Sequence, residues 1–251
     1  AGRLQHAVPG RYYRKRRMKR TYLGMLWRII YLSCLVLSFV APLAGNIAPA
    51  LAQTSTPQAD LQVVYLLRFR GAVTPVLNKY IHDNITAASA NGVDLLILQL
   101  DTPGGSVEVT KAITQQMLAS PVPIVVYVAP AGAHAGSAGT FITLAGHGAA
   151  MTPGSSIGAA SPVGSGGEEV DATLAAKIKN ILSADIENLA ARRGEEAVQW
   201  AVAAVQEASA ATAEQALALG VIDVIAVDVT DLLAQLDGFT VTVQGEPQQL
   251  Q

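Results

Sequence analysis

The chain has 251 residues, 51% of them hydrophobic and 14% charged, which suits one sizeable globular domain with a full core and extra segments at its ends. Its formal charge of −2 conceals an asymmetry: nine of the 17 basic residues and none of the 19 acidic ones fall in residues 1–52, leaving residues 53–251 at −11. So acidic a body argues against nucleic acid as a partner, and a single cysteine, Cys34, excludes disulfides and cysteine metal sites from everything downstream of it.

The basic start reads as a secretory signal peptide over residues 1–52. Arg14 to Arg20 is a positively charged n-region, Ile29 to Ala44 a mostly apolar h-region, and Ala50-Leu-Ala52 an A-x-A cleavage site. Pro42, Gly45 and Pro49 would interrupt a core helix here, and the h-region is short for a membrane span. A start at Met18 or Met25 would give a signal of more usual length, so residues 1–17 are expected to be untranslated. Cys34 lies in the h-region without a lipobox, since Tyr31 stands where Leu is wanted. Residues 53–60 read as a polar linker.

Leu61 to Phe69 is a predicted strand. Thr74 and Pro75 open a helix to about Ala90, as N-cap and first helical residue, and Asn91-Gly92 stops it. Leu95 to Leu100 is a continuous apolar run, typical of a strand buried on both faces. Ser106 caps a helix to about Ala119, and Ile124 to Val128 is the next buried strand. This alternation predicts a parallel α/β core with right-handed crossovers. Ser137 to Met151 reads as one closely packed helix rich in Ala and Gly, and Ser156 to Val163 as a short strand. Gly164 to Glu169 is the most flexible-looking stretch. Helices follow over about Thr173–Arg193 and Glu195–Glu207, and Thr212 to Gln215 is a capping box for a short helix ending at Gly220. Val221 to Val227 is a last core strand, Asp228 starts a helix to Leu236, and Phe239 to Val243 alternates as an exposed strand would.

Two loops fall at one edge of the predicted sheet, where α/β sheets build their sites. Pro130 to Thr140 carries Ser137 among small residues, and Asp101-Thr-Pro-Gly-Gly105 offers backbone N–H groups. A hydroxyl and free N–H groups are the materials of acyl transfer. Ala135-Gly-Ser137-Ala-Gly139 is one residue from the G-x-S-x-G nucleophile elbow, although such a run alone is more often a packing motif. Gly104 and Gly105 would leave their N–H groups open to a substrate oxygen, with Asp101 holding the turn. The base is harder to find. The last histidine, His147, falls within the same predicted helix as Ser137, so the Ser–Asp–His order of an α/β-hydrolase fails. An Asp101–His134–Ser137 set is formally available, but His134 reads better as a polar loop residue, and His82 and His147 as solvated or capping side chains. No two histidines fall at metal-ligand spacing with a carboxylate, so no metal is expected, and no phosphate-loop pattern occurs. That leaves lysine: Lys79, Lys111, Lys177 or Lys179. Lys177 and Lys179 flank the apolar stripe of the long helix on opposite sides, and spacing does not choose between them.

At these residues the chain resembles a known family. Leu100-Asp-Thr-Pro-Gly-Gly105, Val126-Tyr-Val-Ala-Pro-Ala-Gly132, Ala135-Gly-Ser-Ala-Gly-Thr-Phe141 and Ala150-Met-Thr-Pro-Gly-Ser-Ser-Ile-Gly-Ala-Ala-Ser-Pro-Val163 are similar to the NfeD membrane-bound serine proteases, of the Clp-protease and signal peptide peptidase A class. The resemblance runs from about Leu61 to Gly238. It implies a single Clp/crotonase-like α/β domain over residues 61–238 and a serine endopeptidase with a Ser–Lys dyad. Ser137 matches the nucleophile, and Lys177 matches the base better than Lys179 does. Gly105 and Ala138 match the oxyanion-hole donors. Clp proteases proper carry a His where this chain has Ala159-Ala160-Ser161-Pro162, so a base from elsewhere is consistent. Gly136 stands where the family more often has Ala, and His134 where Arg is common. Such proteins usually continue into transmembrane helices and a small β-barrel, so residues 239–251 read as the start of a truncated C-terminal extension. The expected partners are a hydrophobic peptide substrate and a stomatin-like membrane protein, with no cofactor. A homo-oligomer, dimer or larger, at the extracytoplasmic face of the membrane is expected. The rival readings are a non-catalytic assembly module for a stomatin-like protein and a crotonase-like acyl-thioester enzyme, the latter disfavoured by the signal peptide.

Overall fold

A computed structural model describes residues 62–162 and 171–250. The expected signal peptide and linker, and the Gly164–Glu169 loop, lie outside the described residues. The first half alternates as expected: β1 (Val64–Arg70), α1 (Pro75–Asn91), β2 (Leu95–Asp101), α2 (Val107–Leu118) and β3 (Ile124–Val128). Gly92 ends α1 in the left-handed conformation, φ 63°, and the Ser106 hydroxyl accepts the Val109 N–H to start α2. Thr74 occupies the N-cap of α1 but its side chain makes no capping bond.

Beyond β3 the chain is more finely divided than its sequence suggests. His134–Gly136 is a short strand, β4, where a loop is expected. The single helix expected over Ser137–Met151 is instead α3 (Ala138–Ala145) followed by β5 (Gly148–Met151). Gly146 leaves the helix with extended backbone, and the next residues pair with β3 in the middle of the sheet. β6 is confined to Ser156–Gly158, because Gly158 and Ala159 take positive φ and turn the chain out of the strand expected to reach Val163. Then come α4 (Ala172–Ala190), a 3-10 turn over Ala191–Arg193, α5 (Glu195–Gln206), β7 (Ala210–Thr212) and α6 (Ala213–Ala218), which opens with the expected Thr212–Gln215 capping box. β8 (Val224–Ile225) is shorter than expected, pairing only with Ala150 and Met151 of β5. α7 (Val229–Leu236) starts at its Asp228 cap, and β9 (Thr240–Val243) and β10 (Glu246–Gln249) form a hairpin.

The main sheet has the order β1-β2-β3-β5-β8, all parallel. β2 shows why its apolar run is unbroken: Leu96, Leu98 and Leu100 enter the core under α1, α2 and α3, while Leu95 and Ile97 enter the core under α7 and the hairpin. β9 corrects the expected exposed strand. Thr240 and Thr242 face solvent, but Val241 and Val243 are buried in that second core. β4, β6 and β7 form a small second sheet, bridged to the end of β2 through Thr102 and Ala135. α4, α5 and α6 close over it around Phe141, Leu182 and Ile186. Among the described residues no helix is long and apolar enough to cross a membrane.

Candidate active site

The site forms where β2 and β4 end. Gly136 pairs with Gly158, and the next residue, Ser137, must turn at once into α3. It does so at φ 51° and ψ −111°, a conformation that costs a non-glycine residue about 1–3 kcal/mol. Its surroundings hold it there. The Ser137 N–H donates to the Gly158 carbonyl at 2.9 Å, and the Ser137 carbonyl accepts from Thr140 N–H at 3.0 Å. The buried Thr140 hydroxyl bonds the carbonyls of Ala135 and Gly158. The Ser137 hydroxyl makes no hydrogen bond among the described residues. This is the geometry of a nucleophile elbow: a strained strand-to-helix turn that projects its side chain and starts a helix with free N–H groups.

The 101–105 loop lies against that elbow. Gly104 has φ 113°, and a Cβ there would come within 2.7 Å of the Ser137 Cβ. Glycine is therefore required both by backbone conformation and by approach. One expectation is corrected. The Gly104 N–H is not open to substrate, because it donates to the Thr102 hydroxyl at 3.1 Å. The N–H groups of Gly105 and Ala138 have no hydrogen-bond partner among the described residues. Both residues line, with Ser137, one cavity of about 200 Å³. Its walls are mostly apolar, built from Val107 and Leu118 of α2, Phe141 of α3, and Leu182 and Leu189 of α4.

The candidate bases fall outside this arrangement. Lys177 is exposed and Lys179 half-buried, and neither lines the cavity. α4 turns Leu182, Asp185, Asn188 and Leu189 to the cavity, and Lys177 sits roughly 140° around the helix from Leu182. Lys111 does line the cavity, 3.7 Å from Asp185. Nothing in the sequence sets Lys111 apart from the other three lysines of residues 53–251 except the helical stripe Val107, Thr110, Lys111, Thr114, Leu118, which is the cavity wall.

The formal Asp101–His134–Ser137 set does not assemble. Asp101 accepts the His134 backbone N–H at 3.2 Å and pairs with Arg70 at 3.0 Å, holding the turn as expected. The exposed His134 ring lies 3.7 Å from Asp101 and makes no hydrogen bond to Ser137. His147 is not solvated. It is buried, with Nδ1 accepting the Ile124 N–H at 3.0 Å. Burial, assisted by the nearby Arg192 cation, lowers its pKa to about 4. No cluster of three potential metal ligands occurs among the described residues.

Comparison with known proteins finds the same scaffold. The family model described as the NfeD1b N-terminal domain matches residues 63–243. Membrane-bound protease PH1510 of Pyrococcus horikoshii is 36% identical over 214 residues, which cover 84% of this chain and 45% of that protein. The chain thus spans less than half the length of that relative. Two structures of 1510-N, a membrane-bound stomatin-specific protease, superpose with TM-scores of 0.69. One is a serine-to-alanine variant, 33% identical, covering 75% of this chain and 91% of that chain. The other is a lysine-to-alanine variant in complex with a substrate peptide, 34% identical, covering 75% and 87%. A ClpP1 variant from Listeria monocytogenes, 16% identical over 67% of this chain and 94% of that one, superposes with a TM-score of 0.51 and establishes a Clp-like fold.

Proposed function

The chain belongs to the family of NfeD1b N-terminal domains, and from that premise we propose that it is an extracytoplasmic serine endopeptidase that cleaves hydrophobic peptide segments of a stomatin-like membrane protein. One observation carries the proposal: lining an apolar cavity, a strained elbow presents the Ser137 hydroxyl beside two N–H groups, all three without a hydrogen-bond partner among the described residues. Ser137 Oγ attacks the scissile carbonyl carbon. The N–H groups of Gly105 and Ala138 bind the oxyanion, where preorganised donors act most strongly. Lys177, once α4 carries it to the cavity, takes the hydroxyl proton and returns it to the leaving amine, and water then releases the acyl group by the same route. A lysine can do this only where its surroundings keep it neutral. The choice of a lysine is supported by the related protease having been studied as a lysine-to-alanine variant in complex with a substrate peptide. The placement outside the cytoplasm rests on the signal-like residues 1–52.

The test is cleavage of an apolar peptide by the full chain beside Ser137→Ala, Lys177→Ala and Lys179→Ala forms, with a serine-directed phosphonate mapped to its residue. Labelling at Ser137 and loss of turnover in the first two forms are expected. Equal cleavage by all four sinks the assignment, and loss in Lys179→Ala alone moves the base to Lys179. A second reading, a non-catalytic assembly module binding a stomatin-like membrane protein, is favoured by the exposure of Lys177 outside the cavity. It expects peptide binding without turnover and indifference to Ser137→Ala.

A further inference from the structure

The Gly104–Gly105 peptide is the unit that would meet the oxyanion. Its carbonyl accepts the Val73 N–H at 2.8 Å. In a planar trans peptide the C=O and N–H point in opposite directions, so this bond aims the Gly105 N–H away from Val73 and into the cavity. Nothing in Gly104 itself keeps the peptide from turning, since it has no side chain. The neighbour that restrains it is Thr102, which is fully buried. The Thr102 hydroxyl donates to the Gly104 carbonyl of this peptide at 3.4 Å and accepts the Gly104 N–H of the preceding peptide at 3.1 Å. Its methyl lies 2.7 Å from where a Cβ on Gly139 would stand, so it packs against the first turn of α3. Its backbone N–H donates to the His134 carbonyl at 2.8 Å, and its carbonyl accepts the Gly136 N–H at 2.9 Å. One residue therefore touches both halves of the site, the loop that carries Gly105 and the elbow that carries Ser137 and Ala138.

We propose that Thr102 is a positioning residue that sets the Gly105 N–H in register with Ser137, acting through Gly104 and touching no substrate. The proposal rests on the serine-protease reading. Its energetic logic is that of preorganisation. Mis-aiming a donor costs transition-state stabilisation and leaves ground-state binding intact, so kcat falls while KM stays.

The experiment uses the full chain and an internally quenched apolar peptide. Thr102→Val keeps the shape and removes the acceptor, Thr102→Ser keeps the acceptor and removes the methyl, and Thr102→Ala removes both. The valine and alanine forms should lose about 10- to 100-fold in kcat at constant KM, less than the roughly 10²–10³-fold loss for deleting a donor outright. The serine form should stay within about threefold of wild type, the margin left for the lost methyl. Amide hydrogen exchange should find the Gly104 N–H protected in wild type and Thr102→Ser but not in Thr102→Val, with core amides such as Leu98 protected in all. Wild-type kcat in Thr102→Val, or equal damage in Thr102→Ser, overturns the proposal. Equal cleavage by wild type and Ser137→Ala instead sinks the protease reading. Gly104 exchange does not depend on turnover and still reports whether the Thr102 hydroxyl holds Gly104.

Discussion

At the scale of the residue, Ser137 makes two demands that conflict. Its hydroxyl must stand clear of its neighbours, and its Cβ must tolerate a positive φ that side chains avoid. The strain belongs to the Cβ rather than to the hydroxyl, which yields a test. Ser137→Ala and Ser137→Gly should both be inactive, yet the glycine form should be the more stable by about 1 kcal/mol in urea denaturation, reversing the usual order of Ala and Gly. Alanine as the more stable form would mean that the elbow is unstrained. The small residues around Ser137 were legible in the sequence because only such residues permit the turn. The loss of the Gly104 N–H to Thr102 was not, because the run of two glycines says that backbone is accessible and not which N–H is already bonded.

At the scale of the element, α3 has Ser137 at its N-terminus and two arginines at its C-terminus. Arg192 donates to the carbonyls of Leu144 and Gly146, and Arg193 is tied to Asp223 at 2.9 Å. Cations are favoured at that end of a helix. The sequence hid this because the arginines lie in the turn after α4, far along the chain. It likewise hid the split of Ser137–Met151, since a stretch rich in Ala and Gly carries no periodicity to separate a buried helix from a buried strand. His147 sits in the link between α3 and β5 and accepts a backbone N–H from β3, so it must stay neutral. Its pKa is lowered to about 4 from the usual 6.5, so the unfolded chain binds the extra proton first as pH falls. Its contribution is complete above about pH 6.5 and is lost progressively toward pH 4. Between pH 7 and pH 5 the wild type should lose about 2 kcal/mol more stability than His147→Gln, whose amide oxygen can still accept the Ile124 N–H. Parallel pH profiles for the two in urea denaturation would place the proton elsewhere.

At the scale of the whole molecule, the parallel order of the main sheet was readable because βαβ units permit little else. What was not readable is how α4 sits over the site, because a helix sequence reports its apolar stripe and not its position along a groove. The described arrangement leaves Leu174 and Ile181 of α4 and Val107 and Leu118 of α2 as exposed apolar side chains. Lys177 lies on α4 outside the cavity. For Lys177 to serve Ser137, the first turns of α4 must shift toward the cavity, and covering those side chains is the available driving force, at about 1.5–3 kcal/mol for each large apolar side chain fully buried. An apolar peptide lying along α2 and α4 would supply that cover. Binding energy spent on such a shift appears in kcat rather than only in KM. In a series of apolar peptides lengthened one residue at a time, kcat should therefore rise with length until the exposed side chains are covered. Ile181→Glu should flatten the rise while leaving the shortest peptide unaffected. A kcat independent of length, with KM alone improving, would mean that the proton acceptor is already in place before substrate arrives, and would move that role away from Lys177.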